Sequence, residues 1–180
     1  MTSTDPSGAH RIAVAANAPL VLVIEDDPDA AAVAQGMLNM LGYRSRIAPD
    51  VHEALHLLSS ERPALILLDI CLPTMDGVAL LKIARRLPGV ADIPVVAASA
   101  VYGEEGAVAR MLQAEGVTSF LDKPFSLSGL RGAIDKCLAG RLAQGRLSAK
   151  GTGFVLPGRE DTDALPTIER IASPAAPPNP

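Results

Sequence analysis

The sequence predicts an α/β domain built on a parallel sheet with helices packed on both faces. Three observations carry this. Short, uninterrupted apolar runs recur, among them Leu20–Ile24 (LVLVI) and 64–68 (ALILL). A strand that is apolar throughout is covered on both sides, as in parallel sheets. Segments of helical periodicity separate these runs, so strand and helix alternate five times. Hydrophobic residues make up 48% of 180 residues, enough for one ordinary core with extensions to spare.

Each element follows from local chemistry. The run Leu20–Ile24 stops abruptly at three acids, Glu25-Asp26-Asp27. Pro28 then suits the first turn of a helix to about residue 41, with Gly42 as its stop. Arg44–Ala48 is a weaker, more polar strand, expected at a sheet edge. Asp50 can cap a helix to about 59. The apolar run 64–68 leads into Asp69, and 76–86 is expected to be helical. A third apolar run, 93–98 (IPVVAA), leads into Ser99. Residues 104–115 read as helix and 117–121 as the fifth strand. Ser126 caps a last helix to about 138.

Composition divides the chain into a leader (1–19), the periodic domain (20–140) and a tail (141–180). Six of the fifteen prolines fall in the tail, and its last seven residues are nearly all Pro and Ala. Such a segment buries too little apolar surface to offset its ordering entropy, so the tail is expected to be mostly disordered and the leader flexible. Residues 20–140 hold fifteen acidic and ten basic side chains, whereas 141–180 hold four acidic and five basic. The acidity therefore belongs to the domain.

A net charge of −4 and an aromatic fraction of 3% without Trp argue against direct nucleic-acid binding. Cys71 and Cys137 lack metal or redox-motif spacing, which fits a reduced cytoplasmic setting. The first seventeen residues have no basic start followed by an apolar run, so no secretory signal is expected. No stretch approaches the roughly 20 apolar residues of a membrane span.

In open parallel sheets, ligands bind at the carboxyl ends of the strands. The first strand delivers Glu25-Asp26-Asp27 there, the third Asp69, the fourth Ser99, and the fifth Lys123-Pro124 just beyond its end. Carboxylates brought together repel unless a cation lies between them, and a hard, oxygen-ligated ion such as Mg²⁺ is the natural choice. A lysine and a hydroxyl beside that ion suit a phosphoryl group.

Four separated segments, VLVIEDDP (21–28), LILLDICLPTMDG (65–77), PVVAASA (94–100) and FLDKPF (120–125), make residues 20–140 resemble the receiver domain of two-component response regulators, the family of the chemotaxis regulator. The resemblance implies a flavodoxin-like, doubly wound five-stranded sheet of order 2-1-3-4-5. It implies that Asp69 is the phosphoacceptor for a sensor histidine kinase or phosphotransfer protein. Asp26 would then ligate Mg²⁺ directly, Glu25 through a water, and Cys71 through its backbone carbonyl, with Asp69 completing the set. Lys123 would pair with the acceptor and then with the phosphoryl group. Ser99 and Phe120 would be the switch residues, with the backbone of small Ala100 facing the phosphoryl group. Phe120 lacks a tyrosine hydroxyl, so any switch there acts through burial of its ring. Cys71 and Val101 would flank the path of attacking water. Neither orients that water, which implies slow dephosphorylation.

Plainer roles suit other residues. Asp27, ahead of Pro28, reads as a helix cap, and Asp76 as the start of the next helix. His52 and His56 have metal spacing but no third ligand in view. Cys137 reads as core. A dehalogenase-like phosphatase would need a second aspartate where Cys71 stands, and no GxGxxG follows the first strand. A receiver-like docking module that ignores phosphorylation is the remaining alternative. With a Pro-rich tail in place of an output domain, the expectation is a single-domain switch rather than a turnover enzyme. It would act by binding a protein partner or by passing its phosphoryl group on, and the resemblance implies the face of the fourth helix, fifth strand and fifth helix as the surface for a partner or for a homodimer. Within the tail, 154–156 and Leu165, Ile168 and Ile171 offer clustered apolar residues for docking.

Overall fold

The computed structural model describes residues 14–73, 75–100 and 106–143. Val101 and the tail beyond 143 lie outside the described residues. Five strands, β1 (Leu20–Ile24), β2 (Arg44–Ala48), β3 (Leu65–Asp69), β4 (Val95–Ser99) and β5 (Val117–Asp122), alternate with five helices. The helices are α1 (Pro28–Met40), α2 (Val51–Ser60), α3 (Gly77–Ala84), α4 (Ala107–Ala114) and α5 (Leu127–Ala143). All strand pairs are parallel, in the order β2-β1-β3-β4-β5. The doubly wound sheet expected from the sequence is therefore present, with polar β2 at an edge.

Side-chain alternation splits the core into two layers. Leu22, Ile24, Ile66, Leu68, Val95 and Ala97 face α2, α3 and α4. Val21, Val23, Leu65, Leu67, Val96 and Ala98 face α1 and α5. Both faces being covered is why β3 and β4 are buried at every position. The capping logic holds as well. The Asp50 carboxylate accepts the Glu53 N–H at 2.8 Å, and the Ser126 hydroxyl accepts the Gly129 N–H at 3.1 Å.

Three differences from the sequence expectation have local causes. Residues 14–19, expected to be loose, are tied to the sheet edge: Arg44 donates through Nη1 to the Ala16 carbonyl at 2.8 Å and through its backbone N–H to Pro19 at 3.0 Å. α3 spans only Gly77–Ala84, because Asp76 is its cap and the chain turns after Arg85. α5 continues to Ala143, past the expected end near Leu138.

Arg85, at the end of α3, has no counterpart in the sequence reading. Its half-buried guanidinium donates to the carbonyls of Val90 (2.8 Å), Ile93 (2.7 Å), Glu115 (2.9 Å) and Gly116 (3.4 Å). It joins the segment entering β4 to the turn between α4 and β5.

Tyr43, just after α1, is 4% exposed. Burial, helped by the charge of Asp135 on α5 and opposed by Arg131, pushes its phenol up to about 12. A phenol in the unfolded chain ionises near 10. Below that pH both states hold the proton. Between about 10 and about 12 only the unfolded state releases it, so stability falls as pH rises through this window. The expected loss is up to roughly 2–3 kcal/mol. Denaturant melts at about pH 9 and about pH 11 should show Tyr43→Phe losing less stability than the wild type. Equal losses would contradict the assignment.

Candidate functional site

Strand register brings the polar residues to one rim. Ile24 pairs with both Ala48 and Leu68, Asp69 with Ala98, and Ser99 with Asp122. Backbone pairing continues one residue beyond β1, β3 and β5. Glu25 donates to Ala48 at 3.1 Å, Ile70 to Ala98 at 3.1 Å and Lys123 to Ser99 at 2.9 Å. Glu25, Asp69, Ser99 and Lys123 are therefore placed by main-chain bonds, not by loop conformations.

The loop after β3 folds back over this rim. The Cys71 backbone N–H donates to Asp69 Oδ1 at 2.8 Å, and Asp76 caps α3 by accepting the Val78 N–H at 2.9 Å. Gly77 suits the close return, since a Cβ there would lie 3.2 Å from the Ile70 Cα, a tight contact that the backbone would have to relieve.

At the centre, Lys123 Nζ donates to Asp69 Oδ2 at 2.7 Å and to Glu25 Oε2 at 2.5 Å. Glu25 and Asp69 are each 7% exposed, whereas Asp26 is exposed. One oxygen from each of these three acids lies within 4.8 Å of the others. Three carboxylates and one ammonium leave two formal negative charges in a small, partly desolvated volume, where Coulomb repulsion is poorly screened. Burial, above all, pushes the Glu25 carboxyl above its ordinary range; Lys123 opposes this and Asp69 adds to it. For Lys123 burial acts downward, but bonds to Asp69 and Glu25 outweigh it and hold the ammonium above its ordinary value. An all-oxygen donor set with excess negative charge fits a hard divalent cation.

Ser99 is 1% exposed, with its hydroxyl 3.9 Å from the exposed Cys71 thiol. Ala100 is exposed just past β4, and Phe120 is half-buried against the layer of α2, α3 and α4. Asp27 accepts the N–H groups of Asp29 (2.9 Å) and Ala30 (3.3 Å), which makes it the cap of α1. His52 and His56 are exposed on α2 and belong to no metal-competent cluster among the described residues. Cys137 is buried. What the sequence reading missed is the bond between Glu25 and Lys123. They stand 98 positions apart, and no local pattern marks them as partners.

A carboxylate cluster with a shared lysine, at the carboxyl edge of a doubly wound parallel sheet, defines a ligand site of the switch-point class. Residues 21–135 match the response regulator receiver domain family, and the chain belongs to it. It is 36% identical over 120 residues to an uncharacterized 14.6 kDa protein of Leptolyngbya boryana, covering 66% of this chain and 90% of that one. It is 33% identical over 140 residues to the sensor histidine kinase TmoS of Ectopseudomonas mendocina, covering 78% of this chain but 14% of the kinase. Among solved structures, the receiver domain of a Pseudomonas aeruginosa sensor histidine kinase, described with magnesium coordinated in its active-site cleft, superposes with a TM-score of 0.61. That match has 25% identity and covers 68% of this chain and 98% of that one. No helix among the described residues is long and apolar enough to cross a membrane.

Proposed function

We propose that this chain accepts a phosphoryl group on Asp69 from a sensor histidine kinase or phosphotransfer protein. It then signals by switching partner binding or by passing the group on. One observation carries the reading: the nearly buried Asp69 carboxylate is fixed by a donor on each oxygen, Cys71 N–H on Oδ1 and Lys123 Nζ on Oδ2. In the transfer, an Asp69 oxygen attacks the phosphorus of a phosphohistidine. The P–O bond forms as the P–N bond breaks, and the imidazole leaves with the bonding pair and takes up a proton. Such chemistry asks the protein for position and charge neutralisation more than for further covalent groups.

Asp26, Asp69, the Cys71 carbonyl and, through a water, Glu25 would hold Mg²⁺. When bound, the ion neutralises charge on the phosphoryl oxygens. Lys123, the Ser99 hydroxyl and the Ala100 backbone N–H would contact the same oxygens. Movement of Ser99 and a change in Phe120 ring burial would report the new charge to the face of α4, β5 and α5, a surface for a protein partner or a second copy. The chain would be a cytoplasmic switch rather than a turnover enzyme.

Incubation with Mg²⁺ and a labelled small acyl phosphate tests this. The full chain should take up acid-stable, hydroxylamine-labile label, and no uptake would refute the reading. The lifetime of that label is a second expectation. A thiol at Cys71 is a weak hydrogen-bond partner for water, so the phosphoryl group should persist for minutes. Loss within seconds would show that another group orients the attacking water.

A further inference from the structure

Lys123 is held more firmly than a contact to the acceptor alone requires. Its backbone N–H is bonded to Ser99, and its ammonium bridges Glu25 and Asp69, with Glu25 the nearer partner. Glu25 sits directly after buried β1, so the ammonium is anchored to the sheet and cannot swing away without giving up both bonds. Any cation entering among Glu25, Asp26 and Asp69 meets this fixed positive charge at short range.

We propose that Lys123, anchored on Glu25, is a resident counter-ion that opposes divalent-cation binding and so sets how weakly the resting site holds metal. The inference rests on the reading above that the site takes Mg²⁺. Two positive charges of the ion facing one of the lysine, a few ångströms apart and partly shielded, correspond to about tenfold or more in affinity. The opposition has a use. A phosphoryl group adds negative charge that both cations share, so metal and phosphoryl group bind cooperatively while metal alone is held loosely.

Calorimetric titration of the full chain with Mg²⁺ alone tests this in the wild type, Lys123→Met and Lys123→Arg. Methionine keeps an unbranched stem without charge, so Lys123→Met should bind Mg²⁺ about tenfold tighter. Lys123→Arg keeps the charge and should stay within about twofold of wild type. Unchanged or weaker binding by Lys123→Met, with the wild type binding normally, overturns the counter-ion role and leaves the phosphoacceptor reading standing. Absence of binding in all three overturns both. Without lysine, two buried carboxylates face each other with no ammonium between them, so Lys123→Met also needs melting curves over a Mg²⁺ series. Its midpoint should rise more steeply with Mg²⁺ than that of wild type. A shallower rise, or failure to refold at any Mg²⁺ concentration, overturns the proposal.

Discussion

Asp69→Asn should reduce phosphoryl uptake to background while leaving the fold intact. The amide matches the carboxylate in shape, and its oxygen still accepts the Cys71 N–H that holds Oδ1 at 2.8 Å. It lacks the nucleophilic charge, and its NH₂ group cannot accept from Lys123, which donates to Oδ2 at 2.7 Å. Glu25 remains as a partner for the ammonium, so the lysine is not left unpaired in a partly buried site. The variant should therefore unfold cooperatively, as the wild type does, and still take no label from a small acyl phosphate. Label retained by Asp69→Asn would move the acceptor elsewhere on the rim, with Asp26 the first residue to test.

Arg85→Ala should be the most damaging substitution outside the site. The guanidinium fork satisfies carbonyls of two separate segments, and the nearer two belong to buried Val90 and Ile93. Alanine leaves these acceptors short of a charged donor, at a cost of about 3 kcal/mol. That corresponds to a melting temperature roughly 10 °C lower for a domain of this size. Lysine should recover less than half, because one ammonium cannot reach carbonyls on both segments. Gly116 belongs to the same arrangement. Its φ of +84° suits glycine, and a Cβ there would meet Arg85 Nη2 at 3.1 Å. Chemical denaturation of Arg85→Ala checks the claim, and a loss below about 0.5 kcal/mol would show that water replaces the guanidinium.

Much of this was legible in the sequence because it depends on neighbours in the chain. Apolar runs such as LVLVI and LILL report burial on both faces. Asp27, Asp50 and Asp76 sit where caps belong, and each bonds the helix it precedes. Residues two or three apart decide such features, so local reading suffices. Arg85 was illegible for the opposite reason. An arginine at the end of a helix looks like a solvated charge until segments thirty residues away turn their carbonyls toward it.

The clearest division lies in β5. The sequence alone determined that a strand runs through 117–121 and that Lys123 follows it. Only the tertiary structure decided where along the rim that lysine stands. The register between β4 and β5 shifts after Val95: Val95 pairs with Val117, but Val96 pairs with Ser119. Thr118 is the extra residue, and its hydroxyl bonds back to the Val95 carbonyl at 3.3 Å. The bulge reverses the alternation, so Val117 packs in one core layer and Leu121 in the other, although they are four apart. It also sets Asp122 rather than Leu121 opposite Ser99, drawing Lys123 back toward Glu25 and Asp69. Composition and periodicity carry the identity of the charged residues. Their meeting depends on pairing across strands, which no single strand encodes.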